Sequence, residues 1–102
     1  DARRYIRKTV KGVKANEAKL EEIIGTKLKQ EWKLDRISKI NLALLKLSIY
    51  EMLYAEVPYK IAINEIIELA KKYGEDNSAA FINGVLANVV KENLWYQLNL
   101  LQ

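Results

Sequence analysis

Ile37-Ser38-Lys39-Ile40-Asn41-Leu42-Ala43-Leu44-Leu45-Lys46-Leu47-Ser48-Ile49-Tyr50-Glu51-Met52-Leu53-Tyr54-Ala55 decides the fold. Ile40, Leu42, Leu44, Leu45, Leu47, Ile49, Met52 and Leu53 leave only a narrow polar strip on a helix. A helix that is apolar almost all round belongs at the centre of a bundle, because no side of it is suited to water. The spacing therefore predicts a third helix over about Ile37–Ala55, with other helices wrapped around it.

On the amino-terminal side, a first helix over about Arg3–Val13 puts Tyr5, Ile6, Thr9, Val10 and Val13 on one stripe and basic residues around the rest of its circumference. A second helix starts near Asn16, a good N-cap followed by acidic Glu17, and carries Leu20, Ile23, Ile24 and Leu28 on its buried face. Gly25 weakens it by up to about 1 kcal/mol relative to alanine. Trp32–Asp35 reads as a connection. On the carboxy-terminal side, Pro58 biases Val57 away from helical angles and marks the break before a fourth helix, about Lys60–Tyr73. Gly74 suits a left-handed cap at its end. Glu75-Asp76-Asn77-Ser78 offers capping oxygens for a fifth helix running to about Lys91. Beyond a plausible end at Glu92, Leu94, Trp95, Leu98 and Leu101 form another apolar stripe at helical spacing. The expectation is an all-α fold: a compact helical bundle of about five helices over residues 1–92, with an amphipathic tail over 93–102.

Composition agrees with this. One proline and four glycines among 102 residues leave little to punctuate a sheet. A chain of this length forms one domain and buries roughly two-thirds of its unfolded surface. With no cysteine and no histidine, disulfides and thiolate or imidazole metal sites are excluded, so no metal or cofactor is expected. No apolar run approaches the roughly 18 to 20 residues needed to span a bilayer, and a cytoplasmic setting fits. The net charge of +4 is unevenly placed: residues 1–36 carry 11 Lys/Arg against 6 Asp/Glu, whereas residues 37–102 carry 6 against 7. Arg3, Arg4, Arg7, Lys8, Lys11 and Lys14 supply most of the excess. Bunched cations attract polyanions, although a short charge run is also what a solvated helix face looks like.

Catalysis has little to stand on. A general base would have to be a carboxylate or a lysine, no pair of acids sits in an enzyme motif, and Gly12, Gly25, Gly74 and Gly84 form no phosphate-cradling loop. The chain is therefore not expected to be an enzyme. Asn64-Glu65 and Asn83-Gly84 are polar or small groups inside apolar helical stretches. The favoured reading is structural, with Gly84 letting helices approach and Asn64, Glu65 and Asn83 tying loop backbone to helix. Phe81, after the capping loop, is a core anchor by default, yet an aromatic beside exposed amides is also what stacking on an unpaired base requires.

Three segments carry a family resemblance: Val57-Pro58-Tyr59-Lys60-Ile61-Ala62-Ile63-Asn64-Glu65, Glu68-Leu69-Ala70-Lys71-Lys72-Tyr73-Gly74 and Phe81-Ile82-Asn83-Gly84-Val85-Leu86. In this order and spacing they closely resemble the carboxy-terminal half of the NusB family of bacterial transcription antitermination factors. Trp32-Lys33-Leu34-Asp35-Arg36-Ile37 and Leu45-Lys46-Leu47-Ser48-Ile49-Tyr50-Glu51 extend the likeness, which runs from about Tyr5 to Lys91 and is most specific from Pro58 to Leu86. The resemblance implies a small all-helical protein that pairs with ribosomal protein NusE. It further implies binding to boxA single-stranded RNA and service in the RNA polymerase antitermination complex, notably on ribosomal RNA operons. Carried over by position, Tyr73, Gly74, Asp76, Asn77 and Phe81 lie against RNA, with Asn77 and Ser78 in the family's polar slot. Lys46 stands where the family usually has arginine, keeping the charge but losing the bidentate fork. Asn41 faces the protein partner.

One departure is large. The family normally opens with two further helices and an arginine-rich stretch, and this chain starts inside the helix that follows. A fragment, a cleaved product or a natural variant would each look so, and Asp1 in place of an initiator methionine favours the first two. The stripe of Tyr5, Ile6, Val10 and Val13 is then expected to be uncovered, forgoing about 1.5 to 3 kcal/mol per wet side chain. Either the tail folds over it or two chains form a homodimer through it. The alternatives to an antitermination adaptor are the NusB-like domain of a ribosomal RNA cytosine methyltransferase and a self-associating helical scaffold that binds no RNA.

Overall fold

The computed structural model describes the backbone of residues 2–28 and 36–100, and their side chains apart from those of residues 2, 3, 5 and 94–100. The helices run α1 (Ala2–Ala15), α2 (Glu17–Lys27), α3 (Lys39–Leu53), α4 (Tyr59–Tyr73) and α5 (Ser78–Leu100), with no strand among the described residues. The all-α expectation holds, and so does the central place of the third helix, since α3 packs against each of the other four. Leu45 and Ile49 of α3 are fully buried, meeting a core that includes Leu20 and Ile24 of α2, Ile66 and Ala70 of α4, and Ile82 and Leu86 of α5. Ser48 is a fully buried polar residue of this centre. Its hydroxyl donates to the Leu44 and Leu45 carbonyls at 3.0 and 3.1 Å, so burial leaves no orphaned donor.

Several expectations are corrected. Asn16 stands at the N-cap position of α2 but makes no side-chain cap there; its Nδ2 donates 2.8 Å back to the Gly12 carbonyl and so serves the end of α1. The cap of α3 falls to Ser38, whose Oγ accepts from the Asn41 N–H. Gly74 ends α4 in an extended conformation, φ −86° and ψ −170°, not a left-handed one. The left-handed residue is Glu56, at φ 57°, in the turn that the Val57 N–H closes by donating to the Glu51 carbonyl at 2.9 Å.

The fifth helix does not stop near Glu92. Nothing from Val85 to Leu100 is glycine or proline, and α5 runs on through Leu94, Trp95 and Leu98. Asn93 is tied to the start of α4, donating 2.7 Å to the Tyr59 hydroxyl. Leu101, the side chains of the tail and the Trp32–Asp35 connection lie outside the described residues.

The first helix buries one edge of its stripe. Thr9 is buried and Val13 half-buried, while Ile6 and Val10 remain 60% and 49% exposed. Gly12 lies on the inward edge, where the ring of Tyr50 fills the space a side chain would need. Tyr50 in turn stacks on Tyr54, with ring centres 5.6 Å apart.

Candidate nucleic-acid interface

The connection from α4 to α5 is a short turn pinned from within. The Gly74 N–H continues the ladder of α4 to the Ala70 carbonyl at 2.9 Å, and the Phe81 N–H begins that of α5 at the Asn77 carbonyl, 3.0 Å away. Between them Ser78 is fully buried, and its hydroxyl accepts from the Glu75 N–H at 2.7 Å. Glycine is required at 74 by contact, since an added Cβ would sit 2.6 Å from the Ala70 carbonyl oxygen and 2.7 Å from Ser78.

With the turn fixed from the inside, its polar groups point outward. Tyr73 is 62% exposed, and Lys72 Nζ lies 5.4 Å from its ring centre, within cation–π range. Asp76 and Asn77 are exposed. Phe81 is half-buried against the core and forms part of a groove of about 280 Å³ with Lys27, Leu28, Gly84 and Asn88. Lys27 is itself ion-paired with Glu92. Tyr73, Gly74, Asp76, Asn77 and Phe81 thus share one helix–turn–helix edge.

Lys46 and Asn41 sit on α3 instead. Lys46 Nζ donates to Glu21 Oε1 at 3.0 Å and lies 3.5 Å from Glu17 Oε2. It borders a separate groove of about 460 Å³ between α1 and α3, whose wall includes Val10, Val13, Leu42 and Leu47. Asn41 lies in the first turn of α3; its Oδ1 is buried and has no hydrogen-bond donor.

Asn64, Glu65 and Asn83 are exposed, so solvent satisfies them and they do not tie loop to helix. Gly84 is not a point of helix approach: an added Cβ there would meet nothing within 4 Å. Sequence reading named Glu17 only as a first-turn acid and passed over Glu21; their spacing of four on one helix was the signal that they could share a partner. Ser78, read as a source of capping oxygen, is buried and accepts from the Glu75 N–H within the turn. Among the described residues no cluster of three or more potential ligands could hold a metal, and no helix is long and apolar enough to cross a membrane.

Fold and edge together define a small, wholly helical protein built around one apolar central helix. The model of the NusB family matches residues 1–91, and the chain belongs to that family. The transcription antitermination protein NusB of Clostridium novyi (strain NT) is 50% identical over 88 residues, a match covering 85% of this chain and 65% of the relative. The protein of the same name from Listeria monocytogenes serotype 4a (strain HCC23) is 48% identical over 90 residues, covering 87% and 70%. The solved structure of T. maritima NusB superposes with a TM-score of 0.79 at 37% identity, covering 84% of this chain and 61% of that one. The match thus spans less than two thirds of the Clostridium relative. Its relatives carry the name of antitermination factors, not of enzymes.

Proposed function

We propose that this chain supplies RNA-binding and protein-binding surface to a transcription antitermination adaptor. The reading is carried by its 50% identity to a protein named for transcription antitermination. The α4–α5 edge supports it chemically, because exposed Tyr73, Asp76 and Asn77 and half-buried Phe81 offer the stacking faces and amides that an unpaired base uses. The ligand is boxA-type single-stranded RNA, the protein partner is ribosomal protein NusE, and the setting is the cytoplasmic RNA polymerase antitermination complex on ribosomal RNA operons. The donorless Oδ1 of Asn41 supports a role in receiving an N–H or O–H from that partner. Lys46 reaches phosphate in this reading only by leaving its carboxylates. The exposed Ile6 and Val10 support a homodimer through the α1 face, which sedimentation of the chain alone would register as twice the monomer mass.

The test is binding of this chain to a boxA-type RNA and to a scrambled RNA, with and without NusE, across a salt series. Selective binding that tightens with NusE is expected. Equal binding to both RNAs under every condition would refute the reading.

A further inference from the structure

Lys46 is held between two carboxylates. Its side chain is 12% exposed, whereas those of Glu17 and Glu21 are 51% and 40% exposed. Glu17 and Glu21 lie one turn apart on α2 and reach the same ammonium, so one positive charge faces two negative ones. A phosphate approaching Lys46 meets a local excess of negative charge. Lys14 and Lys39, on the rim of the same groove, are exposed and carry no such guard.

We propose that Glu17 and Glu21 are positioning residues that withhold Lys46 from RNA, standing in for the phosphate it would otherwise contact. The proposal rests on the RNA-binding reading above. The carboxylates are partly solvated, which weakens their hold on Lys46, and a phosphate contact would replace the charge partner that the nearly buried ammonium gives up. Lysine suits the exchange because its ammonium is a compact charge on a flexible four-carbon stem and can swing between partners. Neutralising the carboxylates shifts the balance toward phosphate.

The experiment compares the full chain, the double variant E17Q/E21Q, and the triple variant that adds Lys46→Met, for affinity to boxA-type RNA over a salt series. Both glutamates are substantially exposed, and glutamine keeps their size, so folding is retained; helical circular dichroism verifies it. The double variant is expected to bind about threefold to fivefold more tightly at low salt. Its plot of log affinity against log salt is expected to steepen by about 0.7, one added phosphate contact on a single strand. Both changes are expected to vanish in the triple variant. Binding by the double variant alone would support the proposal in its strongest form. If the unmodified chain binds RNA and the double variant binds with the same slope, the proposal is overturned while the RNA reading stands. A gain that survives in the triple variant also overturns it, since Lys46 is then not involved. Absence of binding by all three overturns the proposal and the RNA reading together.

Discussion

The ring of Tyr50 on α3 lies where a side chain on Gly12 of α1 would have to be. The same ring stacks on that of Tyr54, so moving it aside disturbs that stack. The contact lets α1 approach the central helix closely enough to bury Thr9.

Gly12→Ala is therefore expected to destabilise the chain despite alanine's better helix propensity. Overpacking costs typically 1–3 kcal/mol and the propensity gain is about 1 kcal/mol, so the net loss is up to about 2 kcal/mol. Thermal unfolding measures it. Adding Tyr50→Ala should abolish the Gly12→Ala penalty, and a penalty that persists would contradict the packing described.

Gly74 and Gly84 should respond in opposite directions. Gly74→Ala drives a methyl into the Ala70 carbonyl and Ser78 and is expected to lower the melting temperature and disturb the turn. Gly84→Ala enters open space inside a helix and is expected to stabilise by up to about 1 kcal/mol. Comparing the two melting curves with that of the unmodified chain decides both.

Glu56 occupies left-handed backbone at φ 57°, which costs a residue with a Cβ roughly 1–2 kcal/mol. Glycine removes that strain but loses some entropy from the unfolded chain. Glu56→Gly is expected to leave a net gain of about 0.5–1 kcal/mol, seen as a rise in melting temperature of a few degrees. A fall would show that the Glu56 side chain contributes more than its backbone costs.

Phe81→Leu separates anchoring from stacking. Leucine keeps most of the apolar contact with the core but has no aromatic face, so stability should change by less than about 1.5 kcal/mol. RNA affinity should fall by about 1–3 kcal/mol, the worth of one base–aromatic stack. Unchanged RNA affinity would remove Phe81 from the interface.

Much of this architecture was legible because it rests on local pattern. Ile37–Ala55 announces a central helix, since burial on every side leaves a compositional mark, and Pro58 announces the next boundary through its effect on Val57. The details that escaped depend on which elements meet. Glu21 lies 25 residues before Lys46, and nothing in the chain shows that they pair until α2 packs on α3. Asn16 could serve the helix before it or the one after it, and residue type does not choose. Gly74 looked like a left-handed cap but is required by the atoms around it, and Gly84 looked like a close contact but faces open space. At the candidate interface, Tyr73, Gly74, Asp76, Asn77 and Phe81 were named from the family resemblance, and their closeness in sequence sets them along the end of α4, the turn and the start of α5. Lys46 was legible as a charge but not as a charge already engaged.

The uninterrupted run of α5 gives the molecule a fixed gauge. From Ser78 to Leu100 it is one helix of 23 residues, a rod of roughly 35 Å at 1.5 Å per residue. Phe81 stands near one end and the last described residues at the other. Contacts made at the two ends of α5 are therefore about one helix length apart, with no loop between them.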